Sequence, residues 1–149
     1  MNIRIFSTTV TFLFISACAD SNNGISEQIQ TQFNASSTGP INLALVGPSS
    51  WERVCVLGPY TMNDHAEKIL GFKWDATGKT SIGSNDGIYV LTFVKGNEVI
   101  AYTEHPRNKG DFMKMKPRCL NREQANLVRQ SDNDGCVFLV TNQQAIIQR

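Results

Sequence analysis

The sequence predicts a single α+β domain, built on a mainly antiparallel sheet with two helices packed on one of its faces. Three observations lead to this prediction. Short runs of β-branched and aromatic residues alternate with turns that contain glycine, proline or asparagine, a pattern typical of antiparallel strands. Two other segments carry apolar residues at helical spacing beside capping signals. The chain has 149 residues, of which 41% are apolar, and is therefore long enough to bury one hydrophobic core.

In the first half of the domain, the pattern predicts two strands and then a helix. The strands are expected at 41–46 and 53–57, and a Gly-Pro pair follows each of them. Thr61 or Asn63 is expected to cap the helix at its start. Gly71 is expected to end it as a left-handed C-cap.

The second half of the domain is predicted to hold three strands, a second helix and a last strand. The strands are expected at 88–94, 98–103, 112–116 and 136–141. The first two form a hairpin around Gly96, and the third is an edge strand. Asn121 and Gln124 match a capping box, which predicts that the second helix starts there. The predicted element order is ββαβββαβ.

The N-terminal segment has the architecture of a signal peptide. Arg4 provides a positive charge, an apolar stretch over 5–15 follows, and Ser16 and Ala17 are the small residues expected before a cleavage site. The apolar stretch is far shorter than the roughly 20 residues that span a bilayer as a helix. We therefore expect residues 1–17 to be a signal peptide that is removed.

The sequence Ile15-Ser16-Ala17-Cys18 resembles the lipobox of bacterial lipoproteins, in which an aliphatic residue and two small residues precede an obligatory cysteine. The resemblance implies that the thiol of Cys18 receives a diacylglyceryl group and that Cys18 becomes the mature N-terminus. It also implies a lipid-anchored location in the cell envelope, facing the periplasm. The outer membrane is favoured because Ala19, and not aspartate, follows the cysteine. The alternative is an ordinary signal peptide with a coincidental cysteine.

Residues 18–40 are predicted to form the lipidated N-terminus and a flexible tether, and residues 41–149 the α+β domain. The tether is rich in Ser, Asn, Gln, Thr and Gly, which bury too little apolar surface to offset the entropy cost of ordering. As a flexible coil it would span about 25 Å. Ile25, Ile29 and Phe33 recur at helical spacing, which leaves a short amphipathic turn open.

Three cysteines remain besides Cys18, and an oxidising envelope allows one disulfide among them. A nine-residue helix between Cys119 and Cys136 would hold them about 13 Å apart, beyond the roughly 7 Å between Cα atoms that a disulfide allows. We therefore predict a Cys55–Cys119 disulfide and a free Cys136 that is buried on a strand face. The alternative, with all three cysteines reduced, stays open.

The sequence shows no pattern that predicts an enzyme, a cofactor or a metal site. Its two histidines lack metal-ligand spacing; His65 is expected on an exposed helix turn and His105 in a chain turn. A hydrolase-like enzyme would need Cys55, His65 or Asp64 to converge in a cleft. Removal of Arg4 with the signal peptide leaves 13 of the 14 basic residues against 13 acidic ones. A globally basic nucleic-acid binder is therefore not expected.

A basic segment over 105–122 stands out in this neutral chain, with six arginine and lysine residues against one aspartate. Lys114, Lys116 and Arg118 are predicted to share one face of the edge strand. There they would meet an anionic glycan, a lipid head group or an acidic protein. The alternative is a charged edge that blocks aggregation between sheets.

The leading functional prediction is a non-enzymatic envelope lipoprotein whose domain binds another protein or a cell-wall component. An inhibitor or exclusion factor acting on an external protein is the alternative, with the polar loop over 75–87 as its protruding element. A small hydrolase-like enzyme is the third. Trp51, Tyr60 and Trp74 lie in predicted turns, as interface anchors or as core residues.

Overall fold

The computed structural model describes residues 23–133 and 135–141. Its helices are α1 (Asn23–Ala35), α2 (Asn63–Leu70) and the four-residue α3 (Ala76–Lys79). Its strands are β1 (Ile41–Asn42), β2 (Arg53–Leu57), β3 (Ile88–Lys95), β4 (Glu98–Pro106), β5 (Cys119–Asn121), β6 (Asn126–Ser131) and β7 (Val137–Thr141). Short 3-10 turns cover Leu43–Leu45 and Arg107–Lys109. No helix within these residues is long and apolar enough to cross a membrane.

The strands form two antiparallel sheets, which confirms the predicted α+β class. One sheet has the order β4-β3-β2-β5 and the other the order β1-β6-β7. β2 has its predicted bounds, and β3 and β4 form the predicted hairpin. The strand predicted over 41–46 is only partly present, because a 3-10 turn replaces it after Asn42.

Helix α2 confirms the first predicted helix. It ends at Gly71, which has a φ of 82° and donates its N–H to the Glu67 carbonyl at 2.7 Å. Its N-cap is Met62, which forms no side-chain cap, so the predicted capping role of Thr61 or Asn63 is wrong.

The four-stranded sheet is covered on both faces. Residues 88–94 of β3 are all buried. Tyr89, Leu91 and Phe93 belong to the core that α1 and the three-stranded sheet cover. The alternate apolar residues belong to a second core under α2 and α3. The prediction that both helices pack on one face is therefore wrong, because a strand buried on both sides needs a cover on each.

Helix α1 replaces most of the predicted tether. Ile25 and Ile29 are buried in the core, and the side-chain amide of Gln32 bonds to the backbone N–H and carbonyl of Asn42 at 2.7 and 3.1 Å. The flexible-tether prediction is therefore wrong over residues 23–35, because the apolar stripe buries enough surface to order this polar segment. The signal peptide and Cys18 lie outside the described residues.

The predicted second helix is wrong, although its capping signal is present. The Asn121 side chain accepts the N–H of Gln124 at 2.9 Å, and the Gln124 side chain accepts the N–H of Asn121 at 3.4 Å. This reciprocal pair closes the turn between β5 and β6. A capping box fixes only one turn, and β6 instead pairs with β1 and β7. The observed order is therefore αββααβββββ.

Candidate functional site

The predicted disulfide is present between Cys55 of β2 and Cys119 of β5. The two residues are register partners on neighbouring strands, with Cα atoms 4.0 Å apart. The pairing is confirmed but its predicted reason is wrong, because the described residues between Cys119 and Cys136 include strands β5 and β6 and contain no helix. Since Cys55 has no free thiol, it cannot act as a nucleophile with His65 or Asp64.

Cys136 is free, as predicted, but it is exposed and not buried. It follows Gly135, which has a φ of 80°, and precedes the first residue of β7, so the strand alternation does not reach it. It borders a groove of about 950 Å³ that Arg107 and Phe138 also line.

The basic segment is not an edge strand. Phe112 and Met115 are both fully buried, and the Met115 N–H donates to the Phe112 carbonyl at 3.0 Å, which is the spacing of a turn. Lys114 places its Nζ 3.8 Å from the centre of the phenylalanine ring of β7. Lys116 is exposed and Arg118 is half-buried. The prediction that these three cations share one strand face is therefore wrong.

Arg118 instead lines a cleft with residues that are distant in the sequence. This cleft, named here the Tyr60 cleft, has a volume of about 540 Å³. The residues that line it include Tyr60, His65, Ile69, Arg107, Met113 and Arg118. Among the described residues four large apolar side chains are exposed, and two of them, Tyr60 and Met113, border this cleft.

Tyr60 has a backbone conformation that tyrosine rarely adopts. Its φ is 61°, and no other non-glycine residue described by the structure has a positive φ. Pro59 precedes it, and the Thr61 N–H donates to the Gly58 carbonyl at 3.3 Å, as in a type II turn, whose third position prefers glycine. A 2.8 Å hydrogen bond from the Tyr60 N–H to the Ile82 carbonyl holds the turn in place. This conformation costs roughly 1–2 kcal/mol, and the residue remains 59% exposed.

Arg107 has its charge paired within the protein. Its Nε and Nη2 both donate to Oδ2 of Asp111, at 3.0 and 2.8 Å, and the Tyr89 hydroxyl donates to Oδ1 of the same carboxylate at 2.7 Å. Burial, and then the bond to Asp111, raises the pKa of Tyr89 far above its ordinary value. The bond to Asp111 also raises the pKa of Arg107. The three groups form a closed network in which Tyr89 stays a donor.

Arg118 is held by backbone carbonyls. Its Nη1 donates to the Phe112 carbonyl at 3.0 Å and its Nη2 to the Met113 carbonyl at 3.3 Å. Within the described parts of the chain, no carboxylate forms a salt bridge with this guanidinium. Arg118 is thus a positioned cation without a counterion there.

His105 belongs to the core and not to a chain turn, so its predicted location is wrong. β4 extends past it, and its side chain is fully buried. Its Nδ1 lies 3.0 Å from the Ser26 hydroxyl of α1, and its Nε2 lies 3.1 Å from the Lys109 carbonyl. Burial lowers the pKa of His105 to about 4, so the ring is neutral at neutral pH. His65, in contrast, is exposed on α2 as predicted.

The loop over 75–87 does not protrude as predicted for an inhibitor. Ala76 and Ile82 are fully buried beneath it. The Ser81 N–H donates to Oε1 of Glu104 at 2.6 Å, which ties the loop to β4. The loop therefore belongs to the packed body of the domain.

The three aromatic residues of the predicted turns divide clearly. Trp51 is buried against Phe93, and Trp74 packs edge-on against Tyr102 with ring centres 5.3 Å apart. Tyr60 alone of the three is exposed.

No group of three or more metal-ligating side chains occurs within residues 23–133 and 135–141. No protein-family model, curated protein or solved structure shows a significant match to this chain.

Proposed function

We propose that this protein is a lipid-anchored envelope protein whose domain binds another protein through the Tyr60 cleft and catalyses no reaction. The observation that carries the proposal is the conformation of Tyr60. The residue occupies a position where glycine would be relaxed, and 59% of its surface stays in solvent. A bulky side chain that strains the backbone and gains little burial inside the chain is explained by a contact outside it.

The residue types in the cleft support a protein partner. Tyrosine, methionine and arginine are enriched in protein interfaces, where a few such residues supply most of the binding energy. Tyr60 and Met113 offer exposed apolar surface, and Arg118 offers a guanidinium of fixed orientation. The cleft therefore combines apolar contact area with directional polar recognition.

The surroundings of His105 and Tyr89, whose pKa values are displaced, support a binding role over acid–base chemistry. His105 is enclosed between Ser26 and the Lys109 carbonyl, and Tyr89 is bonded to Asp111. Both groups are engaged within the fold. A general base requires a proton acceptor that faces the substrate.

The position of α1 makes the proposed lipid anchor a short one. Since α1 begins at Asn23, only residues 19–22 separate it from Cys18. Five residue steps of about 3.6 Å reach at most about 18 Å. A lipid on Cys18 would therefore hold the domain close to the membrane surface, where a partner has to meet it. Two or three acyl chains would supply stable anchoring.

Lipid labelling tests the anchor. Cys18→Ser is expected to abolish incorporation of labelled palmitate and to leave the unprocessed precursor. Cys136→Ser is the matched control and is expected to keep both labelling and processing. A mature N-terminus that begins elsewhere and carries no lipid would contradict the proposed anchor.

Site-specific photocrosslinking in the native envelope tests the cleft. A benzophenone amino acid placed at Tyr60 is expected to capture a discrete protein. The matched control is Leu45, which is 74% exposed and does not line the cleft, and which is expected to capture none. Equal capture at both positions, or no capture at Tyr60, would contradict the proposed binding site.

A further inference from the structure

We infer that the partner inserts an acidic side chain into the Tyr60 cleft, where its carboxylate binds Arg118 between the flanking surfaces of Tyr60 and Met113. This inference rests on the proposed protein-binding function and names the chemistry of the partner. It follows from how the two arginines of the cleft are held, from the charge that each leaves available, and from the shape of the site.

The two arginines differ in what they leave for a ligand. Arg107 makes two bonds to the Asp111 carboxylate and a third to the Asp86 carbonyl, so its charge and most of its donors are used within the protein. Arg118 donates only to two carbonyl groups in the described structure, which use two of its five N–H donors and none of its charge.

The backbone contacts of Arg118 also orient it in advance. A guanidinium that is fixed before binding loses less conformational entropy when it meets a carboxylate. The geometry of guanidinium and carboxylate allows two parallel charge-assisted hydrogen bonds, which are stronger than neutral ones. Arg118 therefore has the orientation and the charge of a carboxylate receptor.

Arg107, Arg118 and Tyr89 all line the cleft. The positive charges of Arg107 and Arg118 both act to lower the pKa of Tyr89, so both guanidinium groups lie within reach of its hydroxyl. Among the described residues, Asp86 is the one carboxylate that lines the cleft, and it is exposed. An incoming carboxylate would thus meet the guanidinium of Arg118 beside the exposed apolar side chains of Tyr60 and Met113.

The shape of the site favours a side chain over a lipid surface. A recess of about 540 Å³ accepts a protruding group, whereas a bilayer presents its head groups on a broad surface. Tyr60 and Met113 also offer apolar surface beside the cation, which suits an acidic residue followed or preceded by an apolar one. The occupant is therefore an acidic segment of a protein.

Peptide selection tests this inference. A displayed library of random peptides is selected on the purified lipoprotein in detergent, and the peptides kept are those that lose binding to Tyr60→Ala. These peptides are expected to contain aspartate or glutamate. Replacing that residue by its amide should weaken binding about tenfold, because the charge-assisted pair is lost. This change leaves the protein itself intact.

A double-mutant cycle identifies the receiving residue. Arg118→Gln should weaken binding of the acidic peptide by a similar factor. This variant should bind the acidic peptide and its amide equally well, and that result would show that Arg118 and the acidic residue are coupled. Arg118→Lys should restore part of the preference for the acidic form, since it keeps the charge and loses the forked geometry. The control Lys95→Gln, at the exposed end of β3, should leave both affinities unchanged.

The outcomes separate the two proposals. Peptides that depend on Tyr60 but contain no acidic residue, or that show no coupling to Arg118, would overturn the carboxylate inference and leave the binding site standing. An absence of any peptide that depends on Tyr60 would overturn the proposed function. Binding to phosphatidylcholine vesicles only when phosphatidylglycerol is present, with the same dependence on Arg118, would replace the protein partner by a membrane.

Discussion

The turn at Tyr60 and the turn at Gly96 each contain one residue with a positive φ, and they differ in what that residue does. Their φ angles are 61° and 56°. Gly96 joins β3 to β4, and a Cβ built there would meet no atom within 4 Å. Glycine satisfies that geometry without strain. Tyr60 satisfies it with a bulky and exposed ring. One turn needs only to reverse the chain, whereas the other keeps a side chain that the fold alone does not require.

The disulfide allows the two turns to be separated experimentally, and its removal has the largest expected effect. Cys55 lies three residues before Gly58, and Cys119 directly follows Arg118, so the bond links the two segments that carry Tyr60 and Arg118. Replacing both cysteines by serine should lower the free energy of unfolding by about 4 kcal/mol, given the sequence separation of 64 residues. Hydrogen exchange should rise more at 58–61 than at 95–97.

The matched control for the disulfide is Cys136→Ser, which is expected to change the free energy of unfolding by less than about 0.5 kcal/mol. An equal rise of hydrogen exchange in both turns after loss of the disulfide would contradict the claim that the disulfide stabilises the Tyr60 turn in particular.

Acid should destabilise the domain through His105, away from both turns. The pKa of His105 is about 4 in the folded state and 6.5 ordinarily, so the unfolded chain binds the proton more readily between these values. The contribution of neutral His105 to the free energy of unfolding is therefore fully present above about pH 6.5. It decreases by about 3 kcal/mol as the pH falls toward 4. The measurement is the free energy of unfolding against pH for the wild type and His105→Gln.

The His105→Gln variant should lack the part of the pH dependence that is due to the histidine. It should keep the part that is due to carboxyl groups. Parallel curves for the two proteins would show that His105 does not titrate as described. The stability difference between Tyr60 variants should be the same at pH 5 and pH 7, because His105 is not among the residues that line the Tyr60 cleft.

Placing tyrosine at a second position with a positive φ measures what such a position costs this side chain. Gly96→Tyr should lower the free energy of unfolding by roughly 1–2 kcal/mol, because the open surroundings of this position leave the backbone conformation as the main term. Gly96→Asn should cost less, since asparagine tolerates the left-handed region. Chemical denaturation checks both variants. A Gly96→Tyr protein as stable as the wild type would remove the strain argument for Tyr60.

Local patterns predicted the elements whose signals and tertiary roles agree. β2, the β3–β4 hairpin and α2 with its Gly71 cap follow from composition and turn chemistry alone. Asn121 and Gln124 form the hydrogen bonds of the predicted capping box, but these bonds close a turn. The residues that follow form a strand and not a helix, because β6 pairs with both β1 and β7. The polar composition around α1 concealed a stripe that contacts the core.

The cleft was not predictable from the sequence in the same way. Tyr60, Arg107 and Arg118 come together only through the pairing of β2 with β3 and β5 and of β3 with β4. Pro59 predicts a turn, but it is compatible with both type I and type II turns, and only the second gives Tyr60 a positive φ. The basic segment was recognised by its charge, whereas the hydrogen bonds that distinguish Arg118 from Arg107 depend on the folded backbone.

The most direct test of the account is to relieve the strain at Tyr60 and to measure stability and partner capture on the same variant. Tyr60→Asn removes an exposed ring and places a residue there that accepts a φ near 61°. Its free energy of unfolding should rise by about 0.5–1 kcal/mol, while capture by a photocrosslinker at Met113 should be lost. A variant that is less stable than the wild type and still captures the partner would contradict the claim that Tyr60 is retained for binding.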